Sequence, residues 1–286
     1  NKVVDANGNA VDKVYTDSNG KIRLSLTEGL YKATETQPLE GYEVPEVYTG
    51  VGIGESKEAE YSSQYTLKWT KNALYSYQAC KIVDDGIVAV SWDGVISKFD
   101  FEGNILWQYI ENLYYNDLKV TNEGIFVCGD SGKIEKISND GELIWARIDE
   151  NTTFESLTLT DNGLVAVGQL GKAVSYDLDG NLNWKNSQNQ YTYKSVTSVP
   201  GGAIAVSSSN GNVVKFDLEG NIVWENTDNS YSYTAITTVD NAVIAVGSGG
   251  EVTKFDFNGN ILWNYDPIIN FYGSYCDIAT IGDSVI

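Results

Sequence analysis

Six tryptophans, Trp69, Trp107, Trp145, Trp184, Trp224 and Trp263, recur at intervals of 38 to 40 residues, and each closes the same short phrase. A β unit of that length cannot bury both faces of its own sheet and must stack on copies of itself. Most of this chain is therefore a series of equivalent modules.

Unit 108–145 shows what one module contains. Leu118-Lys119-Val120 alternates, Gly124-Ile125-Phe126-Val127-Cys128 is nearly continuous apolar sequence, Gly132-Lys133-Ile134-Glu135-Lys136-Ile137 mixes again, and Asp140-Gly141-Glu142-Leu143-Ile144-Trp145 ends the unit. Short runs of β-formers separated by Gly, Asn and Asp predict four strands joined by tight turns. The second run returns as Gly86-Ile87-Val88-Ala89-Val90 and Gly163-Leu164-Val165-Ala166-Val167, and its small central Ala suits a strand covered on both faces. The expected fold is all-β, a β-propeller of four-stranded blades over 61–286, with about six blades visible. Tyr65-Thr66-Leu67-Lys68-Trp69 has no unit ahead of it. It is expected to be an outer strand that completes the last blade, which removes exposed sheet edges.

The turn before each tryptophan reads Asp100-Phe101-Glu102-Gly103-Asn104, Asp177-Leu178-Asp179-Gly180-Asn181, Asp217-Leu218-Glu219-Gly220-Asn221 and Asp256-Phe257-Asn258-Gly259-Asn260. Aspartate bonds the backbone two residues on, and glycine accepts the positive φ of a bulged hairpin. Calcium is an alternative use of these oxygens, but the alternating ligands and late glutamate of a calcium-binding loop are missing. No metal is expected.

Bulk properties narrow the functions. The 286 residues, 42% hydrophobic, suffice for a sizeable core. The 39 acidic against 19 basic residues give a net charge of -20, a surface that repels polyphosphate, so nucleic acid is not an expected partner. No apolar run approaches the roughly 18 residues of a membrane span, and membrane insertion is not expected. The lack of histidine removes the commonest transition-metal ligand. The lack of Met and the ending inside the run Ser284-Val285-Ile286 read as a piece of a longer protein. Of three cysteines, Cys80 falls in register with Leu118, Leu157, Val196 and Ile236, and Cys128 with Val90, Val167, Val206 and Val246. Both are expected to be small buried hydrophobes.

An up-down blade places the connections after each tryptophan strand, and those after each second strand, on one face and the Asp-x-x-Gly turns on the other. The first face carries Tyr75, Tyr77, Tyr114, Tyr115, Phe154, Tyr191, Tyr193, Tyr231, Tyr233, Phe271, Tyr272 and Tyr275. The tyrosines Tyr75, Tyr77, Tyr114, Tyr115, Tyr191, Tyr193, Tyr231, Tyr233 and Tyr272 are expected to form a collar of phenols that grips a sugar or peptide. The alternative is that the rings wedge between blades.

The phrase Gly-x-hydrophobic-x-x-hydrophobic-Asp-x-x-Gly-x-hydrophobic-x-Trp resembles the quinoprotein-type (PQQ-like) propeller repeat and covers 61–286. For enzymes of that class the resemblance implies a quinone beside a metal held by acidic and amide residues, often near a vicinal disulfide. This sequence has no adjacent cysteines and shows no such constellation, so no cofactor is expected.

Residues 1–60 lack the period. Thr16-Asp17-Ser18-Asn19-Gly20, the alternation Ile22, Leu24, Leu26, then Gly29-Leu30-Tyr31, Glu35-Thr36, Pro38 and Gly41-Tyr42 predict a small second β domain. They resemble the prealbumin-like (Cna B-type) modules of Gram-positive surface proteins and pili. The resemblance implies an incomplete β-sandwich, a surface stalk, and for Glu35 a position that in the family catalyses an internal lysine–asparagine amide bond. Residues 55–60 form a short polar joint.

The expectation is a non-enzymatic secreted or wall-displayed protein whose propeller binds an extracellular glycan or protein, with cell-wall attachment through regions beyond this sequence. A quinone-dependent or other propeller enzyme, and a structural block of a surface layer, are the alternatives. Trp92 and Pro267 are the main departures from the repeat.

Overall fold

The structure, a computed structural model, describes residues 75–227, 232–265 and 275–281, residue 70, and the strand segments 3–4, 10–11, 29–31, 51–53 and 284–285. The chain divides into two compact units, Asn1–Thr66 and Leu67–Ile286. In the first, Val3–Val4 pairs with Ala10–Val11 and Gly29–Tyr31 with Val51–Ile53, both antiparallel. Glu35, the strand through Ile22, the joint 55–60, the phrase 65–69, Pro267, Phe271, Tyr231 and Tyr272 lie outside the described residues.

In the second unit five antiparallel sheets follow one another, each with its four strands in chain order. The first strands are Tyr77–Val83, Tyr115–Thr121, Phe154–Thr160, Tyr193–Val199 and Tyr233–Val239. Each touches the first strand of the next sheet, so these strands converge on an axis. The fourth strands, Ile105–Ile110, Leu143–Ile148, Leu182–Asn186, Ile222–Asn226 and Ile261–Tyr265, form the rim. This is propeller geometry, with five complete four-stranded blades among the described residues, together with the paired strands Thr280–Ile281 and Ser284–Val285 of a sixth repeat. The expectation of about six blades is met by five and a beginning.

The core lies between blades. Leu118 packs with Val88 and Val90 of the preceding blade, Leu157 with Phe126 and Cys128, and Val196 with Val165 and Val167. The second strands of blades two to five are buried along their whole length, as their unbroken apolar sequence requires. Cys128 is buried, as expected, but Cys80 is exposed. The reason is positional: Leu118 and its equivalents press on a preceding blade, and among the described residues blade one has none.

The tryptophans make the second inter-blade contact. Trp145 and Trp184 are 9% exposed, and each indole lies on the turn glycine of the next blade. A Cβ built on Gly141 would meet the Trp107 ring at 2.7 Å, on Gly180 the Trp145 ring at 2.8 Å, on Gly220 the Trp184 ring at 2.4 Å and on Gly259 the Trp224 ring at 2.8 Å. The indole Nε1 of Trp107 donates to Asn139 O at 3.0 Å, that of Trp145 to Leu178 O at 3.1 Å and that of Trp224 to Phe257 O at 3.0 Å. Lys136 and Lys215 donate to the same carbonyls, Leu178 O and Phe257 O. One residue type thus fills the gap, satisfies a turn carbonyl and demands glycine opposite, which is why tryptophan and glycine share one period.

Candidate functional face

Chain order within the blades sends the two sets of loops to opposite faces. On the acidic face, Asp100 Oδ1 accepts the N–H of Glu102 at 3.0 Å and of Asn104 at 2.7 Å, while its Oδ2 accepts the Asn104 amide at 2.8 Å. Asp177, Asp217 and Asp256 repeat the pattern. In blade two Ser138 Oγ stands in, accepting from Asp140 and Glu142. The bond from the following Asn side chain is the main cause that holds the carboxyls of Asp100, Asp177 and Asp256 below their ordinary value. These oxygens are engaged in holding the turn that receives the tryptophan. Among the described residues no group of three or more Cys, Asp or Glu side chains is placed to hold a metal.

The opposite face carries the aromatic series, and burial divides it in two. Tyr115, Tyr193 and Tyr233 are at most 1% exposed and Phe154 is fully buried. Each opens a first strand and points into the blade. Tyr77 Oη lies 2.9 Å from Ser97 Oγ, Tyr115 donates to Glu135 Oε2 at 2.5 Å, and Tyr233 donates to Thr253 Oγ1 at 2.8 Å. Tyr193 accepts from Asn189 Nδ2 at 3.0 Å. The expected collar is corrected to this extent: Tyr115, Tyr193 and Tyr233 are packing residues, because a ring that enters between strands can bury its body only if its hydroxyl finds a partner there. Burial is the first cause that raises the phenols of Tyr115 and Tyr193 above their ordinary value.

The described members that keep surface are Tyr114, 57% exposed, Tyr275, 37% exposed, and the half-buried Tyr75, Tyr77 and Tyr191. Trp92, noted in the sequence only as an irregularity, joins them at 53% exposed. Backbone contacts bring the loops of three of these residues together. Trp92 N donates to Ser76 O at 3.0 Å and Ser76 N to Asp93 Oδ2 at 2.6 Å. A Cβ on Gly94 would meet Leu113 O at 2.6 Å, so the segment that leads to Tyr114 lies against the Trp92 loop. The Tyr75 and Tyr77 rings meet edge to face at 6.4 Å. Tyr75, Trp92 and Tyr114 therefore sit on loops that converge where blades one and two meet.

Beneath that corner lies a polar group in which the buried Glu135 is added to an ion pair, Lys133–Glu111, that recurs one blade on as Lys172–Asp149. Glu135, fully buried, is 2.7 Å from Lys133 Nζ, which also binds Glu111, while Tyr109 donates to Glu111 Oε1 at 2.6 Å. Partial burial alone would raise the Glu111 carboxyl, but the bonds from Lys133 and Tyr109 outweigh it and leave it below 4.5. Burial alone would lower Lys133, but its two carboxylate partners outweigh that and leave it above 10.5. The sign follows for each group. A depressed carboxyl contributes stability above its unfolded pKa that is lost as pH falls through the folded one, and a raised amine contributes stability below 10.5 that is lost as pH rises through its folded value. Thermal unfolding followed from pH 7 to pH 3 is expected to show a steeper fall in midpoint for this chain than for Glu111→Gln; equal slopes would mean that the pair adds nothing.

The axis-facing edge is closed by side chains rather than by another strand. Asp117 Oδ2 accepts from Ser156 Oγ at 2.9 Å and Leu157 N at 3.0 Å, and in the same register Ser195 Oγ accepts from Ile236 N at 3.3 Å. Two charge pairs stand there, Lys119 with Asp117 at 3.0 Å and Lys194 with Glu155 at 3.1 Å.

Comparison with known proteins agrees with this geometry. Residues 192–269 match the family described as outer membrane protein assembly factor BamB. The repeat is BamB-like. Residues 2–66 match the prealbumin-like fold domain, so the first unit is of that kind. No curated protein sequence matches the chain. Among solved structures, BamB from Moraxella catarrhalis is similar with TM-score 0.61 and 20% identity over 76% of this chain and 68% of that one. The computationally designed Ika8 protein is similar with TM-score 0.64 and 14% identity over 73% of this chain and 66% of that one. At these identities the likeness concerns the fold. The BamB-like repeat agrees with the tryptophan docking and the blade order.

Proposed function

We propose that this chain is a non-enzymatic recognition protein of the cell surface or extracellular space, whose BamB-like propeller binds a glycan or protein ligand through its tyrosine-bearing face. The observation that carries the reading is the convergence of Tyr75, Trp92 and Tyr114 at the junction of blades one and two. Two of these rings stay more than half exposed although the inward members of the same series are fully buried. Rigid amphipathic rings on loops lose little conformational freedom on binding and stack on sugar or peptide alike. The prealbumin-like unit supports display outside the cell, since such modules space a head from a surface. A non-catalytic role is supported by the engagement of the axis carboxylates Asp117 and Glu155 with Lys119 and Lys194.

The BamB family description names protein assembly, and a protein-holding role would use the same face. The triple variant Tyr75→Ser, Trp92→Ala, Tyr114→Ser is expected to lose at least about tenfold in affinity toward the glycans or extracellular-matrix proteins that the parent retains on an array, as hot-spot aromatics do. Its circular dichroism and melting temperature should match the parent's. Undiminished binding by a folded triple variant would reject this face.

A further inference from the structure

On the acidic face, the junction of blades one and two lacks a side chain that later junctions have. The second residue of the tryptophan turn is Phe101, Leu178, Leu218 or Phe257, but in blade two it is Asn139. Leu178 packs against the cluster of Phe126 and Cys128 in the preceding blade, and Phe257 against that of Val199 and Ile204. Their carbonyls accept from Lys136 at 3.0 Å and Lys215 at 3.2 Å. Asn139 turns its amide the other way, Nδ2 donating to Asn122 O of its own blade at 3.2 Å. On the facing side Val88 stands in the register of Phe126 and Ile204. A cavity of about 470 Å³ is left, with Val83 and Val88 of blade one and Val120 and Ile125 of blade two in its lining. That volume lies within the roughly 300–1,000 Å³ of ligand pockets. Lys98, in the register of Lys136 and Lys215, is also in the wall, its Nζ 2.8 Å from Asp85 Oδ2. An ammonium has three donors, so this bond leaves capacity for a carbonyl.

We propose that this cavity docks a protein segment in which a leucine or phenylalanine is flanked by lysine or arginine. The apolar side chain would enter as Leu178 and Phe257 enter their junctions, and its carbonyl would take the Lys98 donor as theirs take Lys136 and Lys215. Charge selects the flanks. Asp84, Asp85 and Asp140 outnumber Lys81 and Lys98 in the lining, and the net charge of -20 draws a cationic partner from a distance. The site faces away from the Trp92 corner and is independent of it.

The probe is a fluorescein-labelled, amide-capped peptide, Gly-Lys-Lys-Phe-Lys-Lys-Gly, titrated with the whole chain at low ionic strength, where charge attraction is least screened. Its anisotropy should rise to saturation. Alanine for phenylalanine in the peptide, or Asn139→Leu in the protein, should each weaken binding by at least about tenfold. Asn139→Leu supplies the side chain that other turns carry and keeps the backbone carbonyl that Trp107 uses, so it should melt no lower than the parent. Serine in place of the four lysines should weaken binding as much. The triple variant Tyr75→Ser, Trp92→Ala, Tyr114→Ser, altered on the other face, should bind as the parent does. No binding by the phenylalanine peptide, or equal binding by the alanine peptide or by Asn139→Leu, would overturn the proposal. Equal binding by the serine peptide would assign the cavity to an uncharged apolar ligand, and a dimer that forms without peptide and disappears in Asn139→Leu would assign it to a second copy. Either result would overturn it equally.

Discussion

Trp184→Ala is expected to lower the free energy of unfolding by about 3–5 kcal/mol, the range for deleting a buried tryptophan. The indole stacks on Phe216 at 5.8 Å with the planes 27° apart, and it belongs to a cluster with Val165, Val167, Tyr193, Val196 and Val214 drawn from two blades. Removing it opens a cavity at a junction that neither sheet can collapse to fill without moving against its neighbour. Chemical denaturation with circular dichroism measures the effect, and a loss below about 1 kcal/mol would contradict the packing role. The chain supplies its own control. Trp263→Ala removes the same side chain from the same register position at 45% exposure, and it should cost no more than about 0.5 kcal/mol, as surface substitutions do.

Gly220→Val is expected to destabilise by about 2–5 kcal/mol from the opposite side of the same contact, summing a left-handed backbone cost of roughly 1–2 kcal/mol and an overpacking cost of roughly 1–3 kcal/mol. Gly220 has φ +84, and its missing Cβ would lie 2.4 Å from Trp184 Cδ2. Gly201 separates the two causes. It has φ +74 but nothing within 4 Å of a built Cβ, so Gly201→Val should show the backbone part alone. Equal losses in equilibrium unfolding at both positions would mean that the indole yields without cost and that turn conformation, not docking, selects the glycine.

The blades were legible because every blade repeats the same demand. A continuous apolar strand, an Asp-x-x-Gly turn and a closing tryptophan are coupled by contact, so each copy reports on the others. The aromatic series was harder to read, since a tyrosine opening a first strand looks the same whether its ring enters the blade or leaves it. A partial signal lies about 20 residues downstream. Tyr77 faces Ser97, Tyr115 faces Glu135 and Tyr233 faces Thr253, while Phe154, with no hydroxyl, is followed at the same spacing by Val174. Tyr193 departs from this pattern, since Val213 stands at that spacing and its hydroxyl is met by Asn189 instead, and Tyr77 stays half-buried although Ser97 faces it. Cys80 misled for another reason: register gives the side chain's direction, but burial needs the preceding blade. The Trp92 corner could not be assembled from sequence because the contact of the 111–114 segment with Gly94 joins two blades through backbone geometry alone.

The indoles of Trp107, Trp145, Trp184 and Trp224 lie on the turn glycines of the following blades, and the Hα resonances of those glycines report it directly by NMR. Ring currents from Trp107, Trp145, Trp184 and Trp224 should shift one Hα each of Gly141, Gly180, Gly220 and Gly259 strongly upfield, with cross-relaxation to the indole protons. The Gly220 shift should vanish in Trp184→Ala while the other three persist. Four glycines at ordinary shifts, or a Gly220 shift that survives the loss of Trp184, would contradict the account.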